Sequence, residues 1–254
     1  MKKIYFSTVA LEKNRWTPDK IPMYKASDYV TRAINDGFAG VELWENHYHL
    51  ADDAEKNKLI NAGAEYIFST YFNLADGLTD DIKAVADAIN TLGAVGLKFN
   101  FANNKFGTDK DSLMAQRDTL LRFADMISHD VKLLCECHPM TPMEVPETAG
   151  EMFETLDERF GAIVHLNSEP DVVKKAFECY GNRIIHIHSS ARLPNKVFIR
   201  LCEKSEVIDR NMNFLLSNGF NGTITTEFVK EDPNLDVCYE NALIDKAYLN
   251  NLWK

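Results

Sequence analysis

Apolar residues in this chain follow two rhythms. Short runs rich in β-branched and aromatic residues are KIYFST (3–8), GVELW (40–44), EYIFSTYF (65–72), VGLKF (95–99), VKLLCECH (131–138), AIVHLN (162–167), RIIHIHS (183–189) and TITTEF (223–228). Between them lie longer stretches in which apolar positions recur every three or four residues, so the pattern predicts repeated βα units. The helical stretches have recognisable starts: Ser27, Thr79 and Thr108 stand where an N-cap belongs, and Pro146 opens ETAGEMFETL. Several stop at glycine, at Gly37, Gly63, Gly93, Gly181 and Gly219. Most of the strand runs are almost continuously apolar, as expected of parallel strands covered on both faces. Eight such units in 254 residues predict a (β/α)8 TIM barrel occupying the whole chain, 1–254, as a single domain. An open doubly wound sheet is the alternative.

Composition narrows the partners. The chain is 45% hydrophobic and 26% charged, with a formal net charge of −10 and no Lys/Arg cluster, which argues against nucleic acid and anionic membrane surfaces. The apolar part of MKKIYFSTVA is too short for a signal peptide, and no apolar stretch approaches 18 residues, so a cytoplasmic protein is expected. The cysteines, at 135, 137, 179, 202 and 238, are odd in number and lack CxxC spacing, which fits a reducing compartment. Cys135 and Cys137 alternate with Glu136 and His138 and read as packing residues. A homo-oligomer is compatible with the sequence.

In a barrel, working residues sit at the C-terminal ends of strands. Glu136 ends the fifth strand three residues before Pro139, His165 lies near the end of the sixth, His188 of the seventh and Glu227 of the eighth. A carboxylate buried there without a partner costs roughly 3 kcal/mol or more, a cost that a dication removes. Two oxygens and two imidazole nitrogens from four adjacent strands suit a divalent metal; the bland reading is a polar mouth in which these groups hydrogen-bond one another.

Four segments in register, GFAGVELW (37–44), LLCECHP (133–139), RIIHIHSSAR (183–192) and GFNGTITTEF (219–228), resemble the xylose isomerase-like TIM barrels. That family includes sugar phosphate isomerases, ketose 3-epimerases and endonuclease IV-type enzymes. The resemblance implies metal ligation by Glu136, His165, His188 and Glu227, with Glu136 and Glu227 also exchanging the substrate proton. The chain departs from the family where strand six offers His165 and Ser168 in place of an aspartate and a histidine, and where Ser189, Ser190 and Ala191 follow His188. With two histidines in the set, Mn²⁺, Zn²⁺ or Co²⁺ is expected over Mg²⁺.

Other mouth residues are candidates for substrate binding. Glu42 could bind a sugar hydroxyl, orient a metal ligand or form a salt bridge. Lys98 could steady an enediolate or neutralise barrel carboxylates. Arg192 could fork onto substrate oxygens or lie in solvent, and Trp16 could stack on a sugar ring or pack in its loop. His138 is expected to support the metal shell or the substrate. His47 and His49 read as exposed loop residues and are left aside. The expected activity is that of a metal-dependent sugar isomerase or epimerase, acting by proton abstraction next to a carbonyl of a small polyhydroxylated substrate. A lyase for oxidised sugars or glycosides is the alternative. An endonuclease-like hydrolase fits the acidic charge poorly, and a non-catalytic sugar-binding protein would be expected to lack one of the two glutamates.

Overall fold

The structure is a computed structural model that describes residues 2–71, 73–101 and 109–254. Its main strands are β1 (Lys3–Ser7), β2 (Gly40–Trp44), β3 (Glu65–Ser69), β4 (Gly96–Phe99), β5 (Lys132–Glu136), β6 (Phe160–His165) and β7 (Ile184–Ser189). The short β8 (Ala191–Arg192) and β9 (Phe198–Ile199) form an antiparallel hairpin, and β10 (Thr223–Thr226) follows. All but the hairpin strands are parallel and close into a barrel in the order β1-β10-β7-β6-β5-β4-β3-β2. Closure of the sheet excludes the open doubly wound alternative. Around it run α1 (Ala26–Asn35), α2 (Glu45–His49), α3 (Asp53–Ile60), α4 (Asp80–Leu92), α5 (Lys110–Ala124), α6 (Pro146–Glu154), α7 (Pro170–Tyr180), α8 (Ser205–Ser217) and α9 (Leu235–Leu252). No helix among the described residues is long and apolar enough to cross a membrane.

Alternation along each strand sends one set of side chains outward and the other into the barrel. The outward set, including Phe6, Leu43, Phe68, Leu97, Leu133, Val164 and Ile187, packs under the helices in one continuous core; Cys135 belongs to it, and Cys137 packs against it. The inward set makes a separate floor of Tyr5, Ile67, Leu134 and Ile163, with Ile185 packed against it. Bulky floor residues on β1, β3, β5 and β7 face glycines near the start of β2, β4 and β6, Gly40, Gly96 and Gly161, and Gly222 before β10 lies against the Ile185 backbone. A Cβ on Gly161 would come within 2.2 Å of Ile185 Cγ1, and one on Gly40 within 2.3 Å of Glu65 O and 2.8 Å of the Tyr5 ring, so the glycines let the barrel floor pack this closely. Above the floor the inward positions turn polar.

Helix ends show where local signals held. Thr79 caps α4 by accepting from Ile82 N, and Gly93 ends that helix at φ +60°. Thr108 lies outside the described residues; Asp109 caps α5 through Ser112 N at 3.0 Å. Ser27 is not the cap of α1, which begins at Ala26. Its N–H and hydroxyl both donate to Glu55 on α3 at 2.8 Å, so a carboxylate from a neighbouring helix satisfies the free end. Gly181 follows α7 in a right-handed conformation; what favours glycine there is the Phe177 ring, 2.9 Å from where a Cβ would stand.

Helix α9 ties down the loops after β7 and β10. Asn241 receives Arg200 Nε at 3.0 Å and donates to Lys230 O at 2.9 Å, and one turn later Asp245 Oδ1 accepts from Leu201 N at 2.9 Å. Asp245 Oδ2 is buried without a hydrogen-bond partner, and burial raises the pKa of this carboxyl to about 7. Because the folded pKa lies above the unfolded one, the fold binds the proton more tightly, and stability falls as pH rises from about 4 to 7, by about 4 kcal/mol at most. Asp245→Asn keeps an oxygen for Leu201 N and removes the charge. Thermal melts should therefore show the variant about 3 °C or more above the parent at pH 8, with the gap closing near pH 4.

Candidate metal centre

Glu136 and His165 are the last residues of β5 and β6, His188 is the next to last of β7, and Glu227 follows β10 directly, its N–H continuing the ladder to Ser189 O at 3.0 Å. In register, His165 pairs with His188 and His188 with Thr225, so the four side chains reach one level of the barrel. A bulge makes this possible. Ala162 pairs with Ile184 but Ile163 with His186, leaving Ile185 as the extra residue. Ile185 can then join the floor while His186 and His188 still face inward.

The structure brings donor atoms of Glu136, His165, His188 and Glu227 within 4.8 Å of one another. His165 Nε2 lies 3.1 Å from Glu136 Oε1 and 3.8 Å from Glu227 Oε2. His188 Nδ1 lies 3.4 Å from Glu227 Oε1 and 4.0 Å from Glu136 Oε1, yet it is buried with no hydrogen-bond partner. Its other nitrogen, Nε2, donates to Glu42 Oε2 at 3.1 Å. Glu42 is thus buried behind the cluster. It sits behind a histidine and orients it, one of the roles open to it from the sequence.

The electrostatics suit a dication. Burial works against a charged His188, but Glu42 and Glu227 outweigh it and raise its pKa well above the usual imidazole range. Burial likewise opposes ionisation of Glu136 and Glu42; Lys98 and His165 hold the first, and His188 and His186 the second, well below the usual carboxylate range. The carboxyl groups of Glu136 and Glu227 thus stand around an imidazole nitrogen that makes no hydrogen bond. Two nitrogens and two carboxylate oxygens at this spacing are a donor set that a divalent ion satisfies.

Glu42, His186 and His188 form a second close group. Both His186 nitrogens are already met by threonine hydroxyls, Thr223 Oγ1 at 2.6 Å and Thr225 Oγ1 at 2.9 Å. This group is a saturated hydrogen-bond network supporting the first. His186 was not singled out from the sequence, although the alternation in IIHIHS puts it on the same face as His188.

The remaining candidates separate. Lys98 is 1% exposed, with Nζ 2.6 Å from Glu136 Oε2 and 3.0 Å from Asn100 Oδ1. The contact with Glu136 lies off the angle of a directed hydrogen bond and is an ion pair. Over it lies Tyr71, whose ring centroid is 3.8 Å from Nζ. Burial raises the Tyr71 hydroxyl to about 12, Glu136 and Glu227 pushing the same way against Lys98. Tyr71 is a residue that the sequence reading passed over, although it keeps the inward alternation of Ile67 and Ser69. It also walls a cleft of about 530 Å³ between α2 and α4.

His138 is placed outside the cluster. The chain turns after Glu136, and His138 Nδ1 meets Pro139 O at 2.6 Å. Arg192 is exposed on the hairpin, and Trp16 is 71% exposed at the rim, 6.3 Å from the ring of Phe228 beside Glu227. His47 is not an exposed loop residue, because residues 45–49 form α2 and turn it inward. It is 3% exposed and bridges Thr8 Oγ1 at 3.0 Å and Glu12 Oε1 at 2.9 Å, fastening the loop after β1.

No protein-family model and no curated relative matches the sequence. Solved structures do match. A structure of the IolI protein "with a binding zinc atom" is 14% identical with a TM-score of 0.67, covering 99% of this chain and 98% of that one. A xylose isomerase domain-containing protein from Salmonella typhimurium is 13% identical with a TM-score of 0.67, covering 98% and 97%. Endonuclease IV from Thermus thermophilus is 13% identical with a TM-score of 0.62, covering 99% and 100%.

Proposed function

We propose that this chain, which has the fold of the xylose isomerase-like TIM barrels, is a metal-dependent enzyme acting on a small polyhydroxylated carbonyl compound by proton abstraction next to the carbonyl. The observation that carries the reading is the buried, unpartnered His188 Nδ1, faced by Glu136, His165 and Glu227 and backed by Glu42. The zinc in the IolI structure supports it by analogy of fold. Glu136, His165, His188 and Glu227 would hold the ion, with Mn²⁺, Zn²⁺ or Co²⁺ favoured by the nitrogen donors. The ion would supply Lewis-acid polarisation of a carbonyl and a neighbouring hydroxyl oxygen.

The chain's own residues do the rest. A carboxylate at the mouth accepts the proton on the carbon beside the carbonyl, and the fixed ammonium of Lys98 adds positive potential where the oxygens gain charge. Glu42 keeps the His188 ring turned so that Nδ1 faces the centre. Elimination of a leaving group from an oxidised sugar or glycoside shares this first step and is the second reading. Metal analysis of the purified protein, joined to a screen of keto sugars in deuterated water, tests the proposal. Bound divalent metal and solvent deuterium on a substrate carbon are expected; protein free of metal affinity and inert in the screen would overturn it. Glu42→Ala should weaken Zn²⁺ binding by roughly 10- to 100-fold in a chelator competition, as loss of a ligand's support does.

A further inference from the structure

The two glutamates of the cluster are not equivalent. Glu136 Oε1 faces His165 Nε2 at 3.1 Å and His188 Nδ1 at 4.0 Å, whereas Oε2 lies against Lys98 Nζ at 2.6 Å. Lys98 is itself fixed by Asn100 Oδ1 at 3.0 Å and covered by the Tyr71 ring. Glu227 presents its oxygens to His188 and His165, at 3.4 and 3.8 Å, and among the described residues no lysine or arginine pairs with it.

We infer that Lys98 is a positioning residue that fixes Glu136 as a one-oxygen metal ligand and withholds its other oxygen from the substrate, leaving Glu227 as the one carboxylate able to exchange a substrate proton. This rests on the metal-dependent reading above and narrows it. Inverting a carbon by the two-glutamate route needs a proton acceptor on one face and a donor on the other. A single free carboxylate suits two other outcomes. In one, Glu227 takes the proton from the carbon beside the carbonyl, the C–H electron pair forms the enediolate double bond, and Glu227, its proton exchanging with solvent in the meantime, returns a proton on the same face to the former carbonyl carbon. A hydroxyl proton meanwhile passes between the two oxygens, which completes an aldose–ketose isomerisation. In the other, the enolate electron pair expels a group β to the carbonyl, which departs with its bonding pair and takes up a proton. Isomerisation or β-elimination is therefore favoured over epimerisation.

The test uses Co²⁺ alone, added to metal-free parent protein and to Lys98→Met, with affinity read by chelator competition and coordination read from the visible spectrum. Removing a positive charge beside a ligand should tighten Co²⁺ binding by about tenfold or more. The spectrum should also shift as Oε2 joins the coordination. If Lys98 served only the fold, its loss would weaken binding; weaker binding or an unchanged spectrum overturns the inference. Since Lys98→Met leaves Glu136 without its counter-charge and can fail to fold, Lys98→Arg provides a charged control. A parent-like spectrum is expected, and a spectrum like that of Lys98→Met overturns the role given to the cation. A keto sugar turned over in deuterated water should carry the label in one configuration, and a mixture of epimers overturns the one-carboxylate assignment. Parent protein that takes up no Co²⁺ refutes the metal reading itself, whereas normal uptake with an unresponsive Lys98→Met refutes only the part played by Lys98.

Discussion

Glu227→Gln lowers turnover by roughly 100-fold or more while leaving part of the metal affinity in place, since an amide oxygen can still reach the ion but cannot take a proton. The size of the effect follows from its position. Glu227 is 5% exposed at the mouth, its oxygens lie between the two histidines, and no lysine or arginine among the described residues pairs with it. The measurement is the rate of deuterium incorporation into whichever keto sugar the parent turns over, with bound metal determined in parallel. Full activity in the variant would remove Glu227 from proton transfer and return the reaction to Glu136.

The second large effect is expected at His165. Its Nε2 lies 3.1 Å from Glu136 and 3.8 Å from Glu227, so His165→Ala should lose most bound metal, measurable by elemental analysis after dialysis. His165→Asp should keep an ion and accept harder metals, because a third carboxylate replaces a nitrogen and adds negative charge. Comparing Mg²⁺ and Zn²⁺ affinities in the two variants separates this from a purely steric role. An alanine variant that holds its metal as firmly as the parent would mean that the imidazole only hydrogen-bonds in the mouth.

The barrel was legible because each of its strands carries its own apolar signal, bounded by turns and helices with periodicity of their own. The cluster was legible because Glu136, His165, His188 and Glu227 each stand where a strand ends, and that position depends only on local sequence. What was lost depends on contacts across the barrel. The bulge at Ile185 leaves no mark in RIIHIHS, since two adjacent isoleucines read equally well as one buried run. Lys98 could be read as a partner of substrate or of carboxylate, and only the packing of β4 against β5 decides for Glu136. His47 was misjudged because a five-residue helix is too short to show periodicity, and its partners Thr8 and Glu12 lie far back in the chain.

The floor of the barrel constrains how this sequence can drift. Gly161 and Ile185 share one volume, so a larger residue at the glycine is tolerable only if Ile185 has already shrunk, whereas at Gly40 the Glu65 carbonyl oxygen, 2.3 Å from where a Cβ would stand, keeps the position closed whatever stands at Tyr5. The acceptable path from one packing to another therefore runs through an intermediate with a void, which costs stability, or through two simultaneous changes. Gly161 and Ile185 thus behave as a single inherited unit. The polar residues above the floor are not bound in this way, so chemistry at the mouth can diverge while the base that carries it stays locked in place.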